Sequence, residues 1–344
     1  MKAVVLEDVK KIRWMEVDEP KLVHPTDAII EVTLTSICGT DLHAYRKGGR
    51  GFPKFNVMGH EFMGIVVEIG EQVKDVSVGD RVVVSDIVAC GKCQQCMKNK
   101  HYHCKHASLF GYGEIVGNYT PGGQAERVRI PYADHVLIKI PDSLRDEQAL
   151  FIGDILSTGY ACAEKADIQE GDCVVVIGGG PVGIMAAMCA QLYKPCDIFV
   201  IEPCLERHVV AKRCGFTPIT PNQLAVIIDA TGGEGANVIL DAVGKAETIN
   251  QALTLLCGEG SIVCVGSPQV ESIPFAAVTA FAKEATLSFV VGNPMKYGDL
   301  LLKLIAEGTL SPELIITHHY KLEDADKAYR EFDSRIAMKV VMKP

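Results

Sequence analysis

The stretch "VVVIGGGPVG", residues 174–183, limits the possible folds of this chain more than any other. Four β-branched residues in a row read as a buried strand, and an apolar helical pattern runs on from Pro181. Between them Gly178, Gly180 and Gly183 take the spacing Gly-x-Gly-x-x-Gly. A strand that passes through such a turn into a helix opens a βαβ unit. Gly178 suits the tight turn, Gly180 lets backbone approach a pyrophosphate, and Gly183 lets the helix pack closely on the sheet. The helix N-terminus then offers free N–H groups to the phosphates. The same region argues against a membrane span. Residues 173–193 carry no charge over 21 positions, about the length of a transmembrane helix, but three glycines and a proline would break such a helix near its first third.

The rhythm on the two sides of residue 171 differs. Before it, short apolar runs at 28–34, 64–69, 81–84 and 125–130 are cut by Gly, Pro and Asp, and read as strands of a β-rich domain. After it, strand patterns at 173–177, 198–202, 226–229, 238–242 and 261–265 alternate with helical patterns at 181–193, 205–214 and 247–256. That alternation predicts an α/β unit with a parallel, doubly wound sheet. The tail adds helices at 297–307 and 322–331 and a strand at 339–342. A chain of 344 residues, 48% hydrophobic, suits two such domains. Its net charge of −9 does not suit a general nucleic-acid binder, which needs basic surface.

Glu202 ends the second strand of the nucleotide unit, 24 residues after Gly178. A carboxylate there accepts hydrogen bonds from ribose hydroxyls and repels a 2′-phosphate, so NAD is the expected cofactor. Arg207 lies nearby and is the charge that would favour a phosphate instead.

The chain has 13 cysteines, an odd number, and no secretory signal pattern at its start, so a reduced, cytoplasmic setting is expected. Clustered cysteines there point to metal. In "CGKCQQCMKNKHYHC" Cys90, Cys93, Cys96 and Cys104 are separated by two, two and seven residues. Four thiolates this close can surround one Zn²⁺ in a closed, structural site. Lys92, Lys98, Lys100 and Lys105 can offset the net negative charge. The eight cysteines outside this loop and Cys38 are expected to be buried small apolar residues.

A second constellation is left over. "SICGTDLH" supplies Cys38, Thr40, Asp41 and His43; "GHEFMG" supplies His60 and Glu61; "FIGDILSTGY" supplies Asp154. With these motifs in place the whole chain resembles a zinc-dependent alcohol dehydrogenase of the medium-chain dehydrogenase/reductase family. Gly59-His60-Glu61, Gly64, Gly70 and Val73 fall in step with the family's zinc signature, and Gly79-Asp80-Arg81-Val82, the cysteine loop, Ser157-Thr158-Gly159 and the glycine turn follow in the family's order. The segments "LFGYG", "PGGQAERVRIPYAD" and "DILSTGY" are nearest to the branch containing glutathione-independent formaldehyde dehydrogenases, although this chain is shorter.

The resemblance implies a GroES-like β-rich catalytic domain at 1–154, a Rossmann domain at 155–293 and a return to the catalytic domain at 294–344, with the active site in a cleft at the carboxyl ends of the parallel strands. It implies a catalytic zinc on Cys38 and His60, with Asp154 in the position of the variable third ligand, besides the structural zinc. Glu61 stands beside the metal, as an exchanging ligand or a nearby charge. Thr40 matches the hydroxyl that relays the alcohol proton and His43 the histidine that passes it on. The partners implied are a small alcohol, aldehyde or ketone and further copies of the chain, as a dimer or tetramer; neither nucleic acid nor membrane is expected. Gly39 stands where some members have an arginine contacting the pyrophosphate. Polyol, threonine and formaldehyde dehydrogenases share the scaffold. A non-catalytic nucleotide sensor is the rival of another class, and the intact Cys38, His60, Asp154, Thr40 and His43 argue against it.

One residue fits no motif. Asp86 lies four positions before Cys90 in "VVSDIVAC". A carboxylate there is costly to desolvate without a partner. A substrate hydroxyl or amine is one such partner; a loop cap or a nearby lysine is another.

Overall fold

The computed structural model describes residues 1–48, 51–53, 55–268 and 272–344. The chain divides into two compact units, Met1–Asp154 with Asn293–Pro344, and Ile155–Gly292.

The first unit is β-rich. Its main sheet is built on the strand Ala28–Ile37, where nearly every residue but Glu31 and Thr33 is buried. That strand pairs antiparallel with Phe62–Ile69 and Arg127–Ile130 along its length and with Val340–Lys343 at its end. The tail thus returns to the first unit: Val340 pairs with Ile37, and His318–Lys321 continues the sheet parallel to Val340–Lys343. The core beneath is aliphatic and continuous, with Ile30, Phe62, Val82, Val84 and Phe110 among its fully buried members.

The second unit is a six-stranded parallel sheet. Cys173–Ile177 lies at its middle, flanked by Asp197–Ile201 and Ala236–Asp241; the order then runs outward to Thr217–Ile219 on one side and to Leu256–Cys264 and Thr286–Phe289 on the other. Strand order reverses at the first strand, which is the doubly wound arrangement, and its first turn is the glycine turn. Helix Pro181–Ala190 is apolar all round and almost wholly buried. A helix buried on every side needs no amphipathic stripe.

Two expectations are corrected. Residues 226–229 form part of a helix, Ala225–Ala230, and not a strand. The run holds only three apolar residues, Val226, Ile227 and Ile228, a length at which period cannot separate the two states. Within that helix only Ile227 is buried, and the sheet place is taken by Thr217–Ile219. The scattered cysteines are also less uniform than expected. Cys162, Cys173, Cys189 and Cys264 are buried, but Cys196 is exposed and Cys204, Cys214 and Cys257 are half-buried. These four sit in loops or at element ends, where a small residue packs on one side only. No helix among the described residues is long and apolar enough to cross a membrane.

Candidate active site

Three segments of the first unit converge on one point. Cys38 follows the last residue of Ala28–Ile37 and is buried. His60 lies in the short link before Phe62–Ile69, where Gly59 turns the chain with φ +91°. A β-carbon at Gly59 would stand 2.4 Å from Gln124 Cγ, so only glycine fits the turn that presents His60. Asp154 ends the 3₁₀ turn Leu150–Gly153. Ligand atoms of Cys38, His60 and Asp154 all lie within 4.8 Å of one another. His60 Nε2 stands 3.4 Å from Asp154 Oδ2.

Asp41, a residue given no role by its motif, holds two of these groups. Its Oδ2 accepts the Cys38 backbone N–H at 2.9 Å, and its Oδ1 lies 3.2 Å from His60 Nδ1, close but off the hydrogen-bond line. A carboxylate behind a ligating imidazole sets the ring's tautomer and direction. Asp41 can do so because it opens the helix Asp41–Lys47 and is 1% exposed.

The charges show that the cluster fits a divalent cation. Burial pushes the Cys38 thiol up to about 12, helped by the nearby Asp154 and Glu61 charges. For His60 burial opposes the charged form, but Asp41 and Cys38 outweigh it and hold the imidazole well above its ordinary value. Asp154 is lowered despite its burial, through its contact with His60. A buried thiol crowded by carboxylates becomes a good ligand only when a cation supplies the missing positive charge. One thiolate, one carboxylate and one neutral imidazole would balance Zn²⁺ and leave a fourth position open.

Glu61 does not belong to this ligand set among the described residues. Its Oε2 accepts from Ser36 Oγ and from the Lys339 ammonium, which also donates to Ile37 O at 3.1 Å. Glu61 and Lys339 are both fully buried. Burial raises the Glu61 carboxyl, and the Asp154 charge adds to it, while Lys339 opposes them. Glu61 thus lies beside the cluster, near Asp154, and is paired with a lysine from the far end of the chain. Its other oxygen, Oε1, is buried and takes no hydrogen bond.

Thr40 and His43 stand at the start of the helix that begins with Asp41. Thr40 precedes it and makes no capping bond with its side chain. His43 Nδ1 lies 3.3 Å from the Tyr112 hydroxyl. Burial lowers the His43 pKa, and Lys47 and Arg46 add to the effect. The imidazole is therefore neutral at neutral pH and able to accept a proton.

The cysteine loop forms a second cluster. Sulfurs of Cys90, Cys93, Cys96 and Cys104 lie within 4.8 Å of one another. Cys93 Sγ is 3.5 Å from Cys96 Sγ and 3.8 Å from Cys104 Sγ. A tetrahedron of Zn–S bonds of about 2.3 Å has edges of about 3.8 Å, so the spacing fits. Backbone N–H groups of Cys90 and His106 donate to the Cys104 sulfur at 3.4 and 3.3 Å. A backbone hydrogen bond from Cys96 draws the Cys93 thiol down to about 6, whereas burial pushes Cys96 up to about 12.

In the second unit the glycine turn is shaped as a cradle. Gly178 has φ +99°, and a β-carbon at Gly183 would stand 1.8 Å from Gly178 O. At Gly180 the same atom would meet nothing nearer than Arg207 Nη1 at 3.5 Å. Gly183 is thus needed for packing, while the space at Gly180 is open. Glu202, 3% exposed, is more occupied than its motif suggests. It accepts N–H bonds from Gly179 and Cys204, both at 2.9 Å, and lies 3.3 Å from Arg207 Nη1. Arg207 is therefore a counter-charge to Glu202, and its own Nε has no acceptor.

Comparison with known proteins follows the same division. The family described as alcohol dehydrogenase GroES-like domain matches residues 24–142, and that described as zinc-binding dehydrogenase matches residues 181–307. A probable zinc-binding alcohol dehydrogenase of Mycobacterium tuberculosis is 34% identical, over 96% of this chain and 84% of its own length. The solved alcohol dehydrogenase TADH from Thermus sp. ATN1 superposes with a TM-score of 0.95 at 38% identity, covering 100% of this chain and 99% of that one. A 2R,3R-butanediol dehydrogenase from Bacillus subtilis superposes with a TM-score of 0.86 at 27% identity, covering 100% and 99%. The chain belongs to the zinc-type medium-chain alcohol dehydrogenase family. It is an oxidoreductase that interconverts an alcohol and its carbonyl compound, with a GroES-like unit and a Rossmann unit.

Proposed function

We propose that this enzyme is an NAD-preferring dehydrogenase with two zinc ions per chain, one catalytic and one structural. The convergence of Cys38, His60 and Asp154 on one point carries the proposal. Zinc, when bound there, would supply the Lewis acidity that makes an alcohol hydroxyl easier to deprotonate, and NAD held by the second unit would supply the hydride acceptor. The chain does the rest. Cys38, His60 and Asp154 would hold the metal, and Asp41 sets the direction of the imidazole. Thr40 takes the alcohol proton through its hydroxyl, and the neutral His43 passes it on. Glu61, bound to Lys339, offsets charge beside the cluster and stays out of the ligand set. Cys90, Cys93, Cys96 and Cys104 hold the structural ion.

Gly178, Gly180 and Gly183 receive the pyrophosphate, and Glu202 receives the ribose hydroxyls. Arg207, paired with Glu202, moderates the preference against NADP and supplies positive charge near the phosphates that Gly39 cannot. Exposed apolar side chains on the second unit, Val278, Phe281, Phe289 and Val291, support a homo-oligomer. We place the enzyme in the cytoplasm, where thirteen unpaired cysteines remain reduced. Formaldehyde, from the branch nearest in motif, belongs among the substrates to be tried beside simple alcohols and butanediol.

The test is a panel of alcohols and aldehydes with NAD and with NADP, followed by NADH or NADPH absorbance. Turnover of at least one alcohol, faster with NAD, supports the reading. A zinc-loaded protein that binds nucleotide and oxidises no alcohol would make it the sensor instead.

A further inference from the structure

We propose that Asp86, held by Tyr102, is a specificity-determining residue that accepts a hydrogen bond from a second hydroxyl of the substrate, so that vicinal diols are preferred over simple alkanols. The inference rests on the dehydrogenase reading above and deepens it.

Asp86 is 3% exposed and sits in an apolar stretch, with Val84, Ile87 and Ala89 fully buried on either side. A lysine does not account for it: no ion pair joins it to any described residue, and among the described residues its carboxyl group meets the Tyr102 hydroxyl, on Oδ2, and the backbone N–H of Ile87. Its Oδ1 is buried and receives no hydrogen bond from the protein. Its place is fixed from the backbone, since its N–H donates at 2.8 Å to the carbonyl of Gly153, the residue before Asp154, and its carbonyl accepts from Phe110 N–H at 3.2 Å. The carboxylate therefore lies beside the catalytic cluster. It feels the charges of Asp154 and His60, and Tyr102 feels those of Asp154 and Cys38.

A buried carboxylate with only a phenol hydroxyl and a backbone N–H to meet it, and no cation, is poorly compensated. A carboxylate oxygen left free next to the position where an alcohol is held can bond a donor on the adjoining carbon. Tyr102 comes from the cysteine loop, in the turn His101–His103. The structural metal loop thus supplies the positioning residue for substrate recognition.

The test measures kcat/KM for butane-2,3-diol and butan-2-ol on the zinc-loaded enzyme and three variants. The unmutated enzyme should favour the diol. Asp86→Leu should lower the diol-to-alkanol ratio by roughly 10- to 100-fold, the range of one hydrogen bond to a charged group, with the loss carried by KM for the diol. Asp86→Asn, whose amide oxygen still accepts, should lower it less. Tyr102→Phe should lower it while leaving the zinc content unchanged, which separates positioning from damage to the cysteine loop. Should Asp86→Leu fail to fold, the other two variants decide. A ratio that none of the variants moves overturns this inference alone. An unmutated enzyme that oxidises neither compound overturns the dehydrogenase reading and this inference with it.

Discussion

Cys90, Cys93, Cys96 and Cys104 come from one short loop, whereas Cys38, His60 and Asp154 come from three segments far apart in the chain. The loop cluster uses four thiols and is steadied by its own backbone N–H groups, such as that of Cys90 on Cys104. The dispersed cluster mixes ligand types and leans on carboxylates and a lysine around it: Asp41 behind His60 and Cys38, and Glu61 held by Lys339. On a metal, the first arrangement would close four positions and the second would fill three. A local loop can build a closed site from itself. An open site must fix ligands so that one position stays empty, and it draws on the whole domain to do so.

The largest effect expected from breaking this contrast is at Asp154. Asp154→Ala should lose the metal of the dispersed cluster and reduce alcohol oxidation by about 10⁴-fold or more, because metal binding and activation of the alcohol fail together. The fold and the cysteine-loop metal should persist. Full turnover in the variant would make Glu61 the next candidate for the third ligand.

Lys339→Met probes the support of the open site. It removes the partner of a fully buried Glu61, which should cost about 3–5 kcal/mol of stability. Urea unfolding at constant zinc would show it. A loss within error of zero would mean that Glu61 is protonated or has another partner.

His43→Gln should slow alcohol oxidation by roughly 10²-fold, the lower end for a general base. The His43 pKa is lowered by burial. The imidazole is therefore neutral, and able to take the proton, above that lowered pKa, and the relay is lost as pH falls through it. The loss in the variant should be greatest at the acidic end of the range in which His43 is still neutral, where solvent takes up protons least readily. Superposable pH–rate profiles for the two proteins would remove His43 from the proton route.

The smallest effect is expected in the unit that holds neither cluster. Glu202→Ala should narrow the preference for NAD over NADP by about tenfold, since Arg207 then faces the nucleotide unopposed. Both metals should stay bound. Equal efficiency with the two cofactors before mutation would show that Arg207 already cancels the carboxylate.

The two clusters were not equally legible in the sequence. The cysteine loop could be read from spacing alone, as could the glycine turn with its flanking strand and helix, because each is a local pattern. Cys38, His60 and Asp154 could be joined only through resemblance, since nothing in their spacing says that they meet. Asp41 stood in view within "CGTD", but a role behind His60 requires knowing where His60 lies. Lys339 was hidden for the same reason: Val340 pairs with Ile37 across almost the entire chain, and that register brings the ammonium to Glu61. The strand read at 226–229 failed because three apolar residues fit helix and strand alike, and the sheet had already placed Thr217–Ile219 at its edge. The half-exposed cysteines failed because composition reports apolarity and says nothing of position at an element's end.

Zinc content per chain tests the central claim most directly, measured by atomic emission on the unmutated protein, Cys93→Ser and Asp154→Ala. Two zinc ions are expected in the first and one in each variant. In Cys93→Ser the remaining ion should be accompanied by a lowered thermal midpoint, since a structural metal contributes to folding outright. In Asp154→Ala it should be accompanied by a midpoint close to that of the parent and by loss of activity. A single zinc in the unmutated protein, or two still bound in Asp154→Ala, would contradict the division of this domain into one closed and one open metal site.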